Sequence, residues 1–123
     1  MQPVLRLGLI KRMSKNQKNN QETVIERLFE IIQSRKNVND EQSYTSQLFK
    51  SGAPEIAKKV GEEAVETVIA ALTTPSQLAS ESADLIYHLL VLWSASNIKP
   101  SDVWKESERR QGISGIKEKS LRK

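Results

Sequence analysis

Residues 58–72, KKVGEEAVETVIAAL, and residues 81–90, ESADLIYHLL, decide how this chain folds. Glu63 and Glu66 in the first stretch are three residues apart, as are Glu81 and Asp84 in the second, so each pair sets two carboxylates on one helix face. Between them, Leu72-Thr73-Thr74-Pro75 interrupts the pattern and predicts an antiparallel helical hairpin. Glu66 lies seven residues before Thr73, and Glu81 lies seven after Thr74. At about 1.5 Å of rise per residue, both pairs stand roughly 10 Å from the hairpin tip, level with each other. Carboxylates gathered in this way repel unless a cation neutralises them, so the spacing points to a divalent-metal site. The same acids also fit a solvated helix face, with Lys59 pairing Glu63 at i, i+4.

Outward from the hairpin, the apolar spacing predicts an all-α protein built as an antiparallel bundle of four to five helices. Val24, Ile25, Leu28, Phe29, Ile31 and Ile32 mark a first helix ending near Lys36, and a short helix follows over 43–50 with Tyr44 and Leu48 packing inward. Pro54 suits the first turn of the next helix, whose stripe is Ile56, Val60, Ala64, Thr67, Val68 and Ala71. Thr74-Pro75-Ser76-Gln77 reads as a capping box opening a helix that runs to about Ser96, with Leu78, Leu85, Leu89 and Leu92 as its stripe, widened by Ile86 and Trp93. Ser101 can cap a last helix through Arg110, stopped by Gly112. No segment has the strand period. The widened arc of the 74–96 helix exceeds what one partner helix covers, which predicts a bundle completed by homodimerisation.

The 123 residues are enough for one domain with a modest core. Residues 1–22 read as a flexible extension with Met13 as an alternative start, 23–112 as the helical domain and 113–123 as a basic tail. The absence of cysteine excludes disulfides, thiolate zinc sites and a cysteine nucleophile, and favours the cytoplasm. The net charge of +4 divides unevenly: +4 in residues 1–22, +4 in 105–123 and −4 in between. The folded part is therefore acidic, which argues against a nucleic-acid partner, while the basic ends suit a polyphosphate. No apolar run is long enough to cross a membrane.

Carboxylates without sulfur suit a hard cation, Mg²⁺ with Mn²⁺ as a substitute. A di-iron site normally takes Glu-x-x-His on two helices, and the chain has one histidine, His88. His88 shares the face of Glu81 and Asp84 and reads as a hydrogen-bonded helix residue beside the core. Lys58 and Lys59 stand where substrate phosphates could be met.

SYTSQLFKSGAPEIAKKVGEEAVETVIAAL (43–72), ESADLIYHLLVLW (81–93) and RRQGISGIKEK (109–119) resemble, in colinear order, the phosphoribosyl-ATP pyrophosphohydrolases of histidine biosynthesis. These belong to the MazG-type all-α pyrophosphohydrolases, whose shared signature is E-x-x-E followed by E-x-x-D. The resemblance implies hydrolysis of phosphoribosyl-ATP to phosphoribosyl-AMP and pyrophosphate with Mg²⁺. It implies Glu63, Glu66, Glu81 and Asp84 as metal ligands, and Glu62 with Glu63 as the catalytic acids. It also implies a homodimer with pockets near the subunit boundary, where Arg110 and Lys119 join Lys58 and Lys59 on the substrate. No segment resembles the cyclohydrolase to which this enzyme is often fused, so a free-standing enzyme is expected. The alternatives are a housecleaning nucleoside triphosphate pyrophosphohydrolase, for which the SGIKEK segment has no use, and a non-enzymatic helical interaction module.

Overall fold

The computed structural model describes residues 24–113 and 115–122. The extension expected over residues 1–22 lies outside the described residues. Helices follow one another along the chain: α1 (24–34), α2 (Tyr44–Ser51), α3 (Ala53–Thr73), a 3-10 turn (Pro75–Gln77), α4 (Leu78–Ala95), α5 (Pro100–Arg110) and α6 (Gly115–Leu121). There is no strand among the described residues, so the all-α expectation holds. α6 falls in the segment read as a basic tail, where helix resumes after Gly112 has stopped α5.

Local chemistry fixes most of the boundaries. Ser43 is extended and its hydroxyl accepts the Ser46 N–H at 3.2 Å, which caps α2. Arg35 donates to that hydroxyl at 3.2 Å and Ser46 Oγ donates to the Arg35 carbonyl at 3.3 Å, so the loop after α1 is pinned to the start of α2. Gly52 joins α2 to α3 at φ 89° and ψ 165°, a conformation that is essentially confined to glycine. α3, with Pro54 in its first turn, is 21 residues long and spans about 30 Å.

Three caps differ from their sequence expectations or add to them. Thr74 makes no side-chain cap, and Pro75–Gln77 winds as a 3-10 turn before α4 begins. A tight turn satisfies the free carbonyl of Thr74 through the Gln77 N–H at 2.9 Å, which leaves the capping box without a task. At α5 the cap is Asp102 instead of Ser101: its carboxylate reaches back to the Lys99 N–H at 2.9 Å, with Pro100 as the first helical residue. α4 ends in a Schellman motif, in which Asn97 at φ 59° lets Ile98 N–H reach the Trp93 carbonyl at 2.8 Å and Asn97 N–H reach that of Ser94 at 3.2 Å. Lys36 then closes that helix end, donating to the Ser94 carbonyl at 2.6 Å and to Asn97 Oδ1 at 3.2 Å.

The core is Phe29, Ile32, Leu48, Ile56, Leu90 and Val91, with Leu92, Trp93 and Tyr87 packed partly against it. α3 and α4 pack most extensively, and α2 lies across both. α5 rests on α4 through an edge-to-face pair, Trp93 with Trp104, at 6.1 Å. The buried face of α4 is His88, Leu90, Val91 and Ser94, not the leucine stripe expected from spacing. On α3, Val68 and Ala71 of the expected stripe lie outside while Ala70 is buried. Val65, Val68, Ile69 and Leu72 are 58, 57, 53 and 79 % exposed. A large apolar face of α3 is therefore wet in the single chain.

Candidate functional site

The hairpin of α3 and α4 assembles the acids. Glu63 and Glu66 from α3 and Glu81 from α4 each bring one carboxylate oxygen within 4.8 Å of the others. Thr67 fastens the two helices at this level. Its hydroxyl donates to the Glu63 carbonyl at 2.8 Å and faces the Glu81 carbonyl at 3.3 Å. Sequence spacing placed Thr67 in an apolar stripe; the signal that could have found it is a lone hydroxyl one residue after Glu66, level with the acids.

Glu63 and Glu81 are half-buried and Glu66 is exposed. Oε2 of Glu63 and Oε2 of Glu81 are buried without a hydrogen-bond partner among the described residues. Buried carboxylate oxygens without partners are costly, and the cost falls on the charged form. Both pKa values accordingly rise. For Glu63 the main cause is lost hydration, followed by the hydrogen bond and charge of Glu66 and the charge of Asp84, with His88 opposing. For Glu81 it is again lost hydration, then the charges of Glu66 and Asp84 and a hydrogen bond with Glu66. An all-oxygen set with two orphaned acceptors fits a hard cation, so the acid group could hold a metal ion.

The other sequence-predicted residues are distributed as follows. Asp84 is exposed and does not join the three-oxygen group, although its charge acts on both half-buried acids. Glu62 is exposed and pairs with Lys59 at 3.3 Å, replacing the Lys59–Glu63 pair weighed from the sequence. The reason is local: Glu63 is engaged in the α3–α4 seam, and Lys59 turns to the next acid on its face. That bond to Glu62 raises the Lys59 pKa. Lys58 is exposed on α3. Arg110 pairs with Glu106 at 3.1 Å on its own helix, and Lys119 lies exposed on α6. The helices packed principally on α3 are α2 and α4, so these two cations are not gathered with the acids.

His88 is 6 % exposed and uses both ring nitrogens. Nδ1 lies 2.7 Å from the Asp84 carbonyl, which can only accept, so Nδ1 carries the proton. Nε2 and the Tyr44 hydroxyl are hydrogen-bonded at 2.7 Å. The neighbouring Tyr87 hydroxyl bonds Thr45, so α2 is tied to α4 twice beside the site.

A model of the phosphoribosyl-ATP pyrophosphohydrolase family matches residues 25–111, a span that contains all of the gathered acids. A phosphoribosyl-ATP pyrophosphatase of Azospirillum brasilense is 52 % identical over 101 residues, covering 81 % of this chain and 91 % of the relative. One from Parvibaculum lavamentivorans is 54 % identical over 99 residues, covering 80 % of this chain and 91 % of the relative. With its helical hairpin, its acid group and likeness along nearly the whole length of these relatives, the chain belongs to the phosphoribosyl-ATP pyrophosphohydrolase family.

Proposed function

We propose that this chain hydrolyses phosphoribosyl-ATP to phosphoribosyl-AMP and pyrophosphate, the second step of L-histidine biosynthesis, at the Glu63–Glu66–Glu81 group. The observation that carries the reading is the pair of buried, unpartnered carboxylate oxygens on facing helices in a chain of this family. Glu63, Glu66 and Glu81 would hold Mg²⁺, with Asp84 adding charge from the rim and Mn²⁺ as a substitute. The cation supplies charge neutralisation for the carboxylates and for the triphosphate oxygens.

The chain's own residues do the rest. Lys58 and Lys59 stand on the helix that bears Glu63 and attract the triphosphate to it. When Lys59 exchanges Glu62 for a phosphate oxygen, the Glu62 carboxylate is released from its ion pair and is open to accept a hydrogen bond from water. Glu62 then takes a proton from the attacking water, while Glu63 is held in the seam as an electrostatic anchor. The water oxygen bonds to one phosphorus of the α–β anhydride as the bridging P–O bond at that phosphorus breaks, phosphoribosyl-AMP and pyrophosphate separate, and the proton passes from Glu62 to solvent. Catalysis of this kind is mostly positioning and charge stabilisation.

Two copies complete the bundle in this reading. The wet face of Val65, Val68, Ile69 and Leu72, with Ile86 of α4 at 41 % exposure, supports a homodimer. Arg110 and Lys119 then reach phosphates across the subunit boundary. Among the described residues no helix is long and apolar enough to cross a membrane, and the folded part is acidic. A cytoplasmic enzyme acting on a small-molecule substrate, without a nucleic-acid or membrane partner, is part of this proposal.

The test is product analysis. Purified protein with Mg²⁺ releases pyrophosphate, and not single phosphate, from phosphoribosyl-ATP. A higher kcat/KM with dATP or dUTP would replace this assignment with the housecleaning one.

A further inference from the structure

We propose that Tyr44 is a substrate-contacting residue, whose exposed ring, held beside the acids by His88, is the platform on which the purine base of the substrate packs. The inference rests on the reading above and extends it from the triphosphate to the base.

The chain has six aromatic residues, all of them among the described ones. Phe29 is buried, and Phe49, Tyr87 and Trp93 are half-buried against the core. Trp104 is engaged edge-to-face with Trp93 on α5. Tyr44 alone leaves more than half of its surface open, at 54 %. A tyrosine ordinarily buries its ring and gives its hydroxyl to water. Tyr44 does the reverse. Its hydroxyl is bound at 2.7 Å to the buried Nε2 of His88, and the ring is left outside.

The anchor sets the position of that ring. His88 is fixed in turn by its Nδ1 bond to the Asp84 carbonyl at 2.7 Å, so Tyr44 is tied to α4 two turns after Glu81, through a residue that Asp84 itself holds. The phenol and imidazole rings meet edge to face at 5.7 Å and 75°, which fixes the plane of the phenol as well as its place. Ser43, immediately before it, is buried and caps α2, so the backbone is held too. The pKa of Tyr44 is raised, first by lost hydration, with Lys59 opposing and Glu63, Tyr87 and Glu62 adding to the rise, in keeping with a phenol near the acids. A flat apolar surface, rigid and wet, adjoining a polyphosphate site matches the face of a purine ring.

The test uses the full-length protein with Mg²⁺ and three variants, Tyr44→Leu, Tyr44→Phe and Tyr44→Ala. Loss of an aromatic platform weakens binding by about tenfold or more. Tyr44→Leu and Tyr44→Ala are therefore expected to raise KM for phosphoribosyl-ATP by that factor while kcat changes far less. Tyr44→Phe, which keeps the ring but loses the hydroxyl that His88 holds, recovers part of the loss. Calorimetric titration with phosphoribosyl-AMP, the product that retains the base, should show the same order without turnover. Unchanged KM and product affinity in Tyr44→Leu overturns the proposal, and so does a shift in sedimenting mass that accompanies the KM change, because the ring would then serve a subunit contact. A wild-type protein that releases no pyrophosphate overturns the reaction assignment instead, and the product titration still decides the role of the ring.

Discussion

Glu63→Gln separates a functional carboxylate from a structural one because its effects on activity and stability have opposite signs. The side chain keeps its shape and loses its charge. If Glu63 is an electrostatic anchor of the reaction, turnover falls by about 10²–10³, the range for removal of one key preorganised group. Stability moves the other way. Glu63 and Glu66 bring oxygens within 4.8 Å, and one Glu63 oxygen is buried without a partner. Two unit charges at that separation repel by about 1 kcal/mol in water-like surroundings, and exposure of Glu66 keeps the pair near that limit. Relief of about 1 kcal/mol raises Tm by about 4 °C in a domain of this size. The pH dependence follows from the raised pKa of Glu63. Folded protein holds that proton more tightly than unfolded protein, so the contribution favours folding below the ordinary carboxylate pKa and is lost as pH rises through the raised folded value. Metal-free wild type is thus expected to lose stability across that window, and the variant to lose less. Scanning calorimetry in EDTA at several pH values, beside a pyrophosphate-release assay, reads both effects. A variant that is less stable than wild type at pH 7, or that retains more than a tenth of wild-type turnover, refutes the reasoning.

Further outcomes concern the metal, two glycines and Lys36. Mg²⁺ or Mn²⁺ is expected to raise Tm, with EDTA reversing the shift. Glu81→Gln should abolish the shift, whereas Asp84→Asn, outside the three-oxygen group, should retain part of it; equal loss in both would place Asp84 among the ligands. Gly52→Ala should cost about 1–3 kcal/mol, because a Cβ there has room but φ 89° does not suit it. Gly61→Ala, on an exposed helical site with nothing near, should stabilise by about 0.5–1 kcal/mol. Denaturant titration measures both, and destabilisation by Gly61→Ala would mean that another molecule packs on that face. Lys36→Met should lower stability by about 1–2 kcal/mol through loss of its bonds to Ser94 and Asn97, and an unchanged midpoint would remove Lys36 from the closure of α4.

The acid pairs were legible because helical spacing is a local property: three residues apart in sequence is one face in space, whatever else the chain does. The hairpin was legible for the same reason, since Thr74-Pro75 cannot continue α3. The relative rotation of the two helices was not. A 3-10 turn winds about 120° per residue against about 100° in an α-helix, so Pro75–Gln77 changes the face that α4 presents. Spacing alone also does not say how near Asp84 brings its carboxylate, and the gathered set among the described residues is Glu63, Glu66 and Glu81. The buried face of α4 was hidden for another reason. The helix is apolar on most sides, so periodicity selects no single face. Its polar members are placed by partners distant in sequence, Ser94 by Gln33 and Lys36, and His88 by Tyr44. Tyr44 was read as an inward-packing residue because aromatic character predicts burial, and only the bond to His88 shows which end of the side chain faces in.

The free chain carries two deficits of different kinds: buried acceptors that lack a counter-charge, and an apolar face of α3 that lacks cover. Both are costs in the isolated fold, and under the proposed reading each would be removed by a different binding event. A cation bound only by the folded state stabilises it by RT ln(1 + [L]/Kd), about 2.7 kcal/mol at one hundred times Kd. Subunit association would contribute in the same way and would make Tm depend on protein concentration. The two effects should be independent in origin, since Val65, Val68, Ile69 and Leu72 are not residues of the acid group. They meet in Thr67, which sits between Glu66 and Val68 in α3 and fastens that helix to α4. Any coupling between cation binding and association would run through this helix, and sedimentation equilibrium with and without Mg²⁺ measures it.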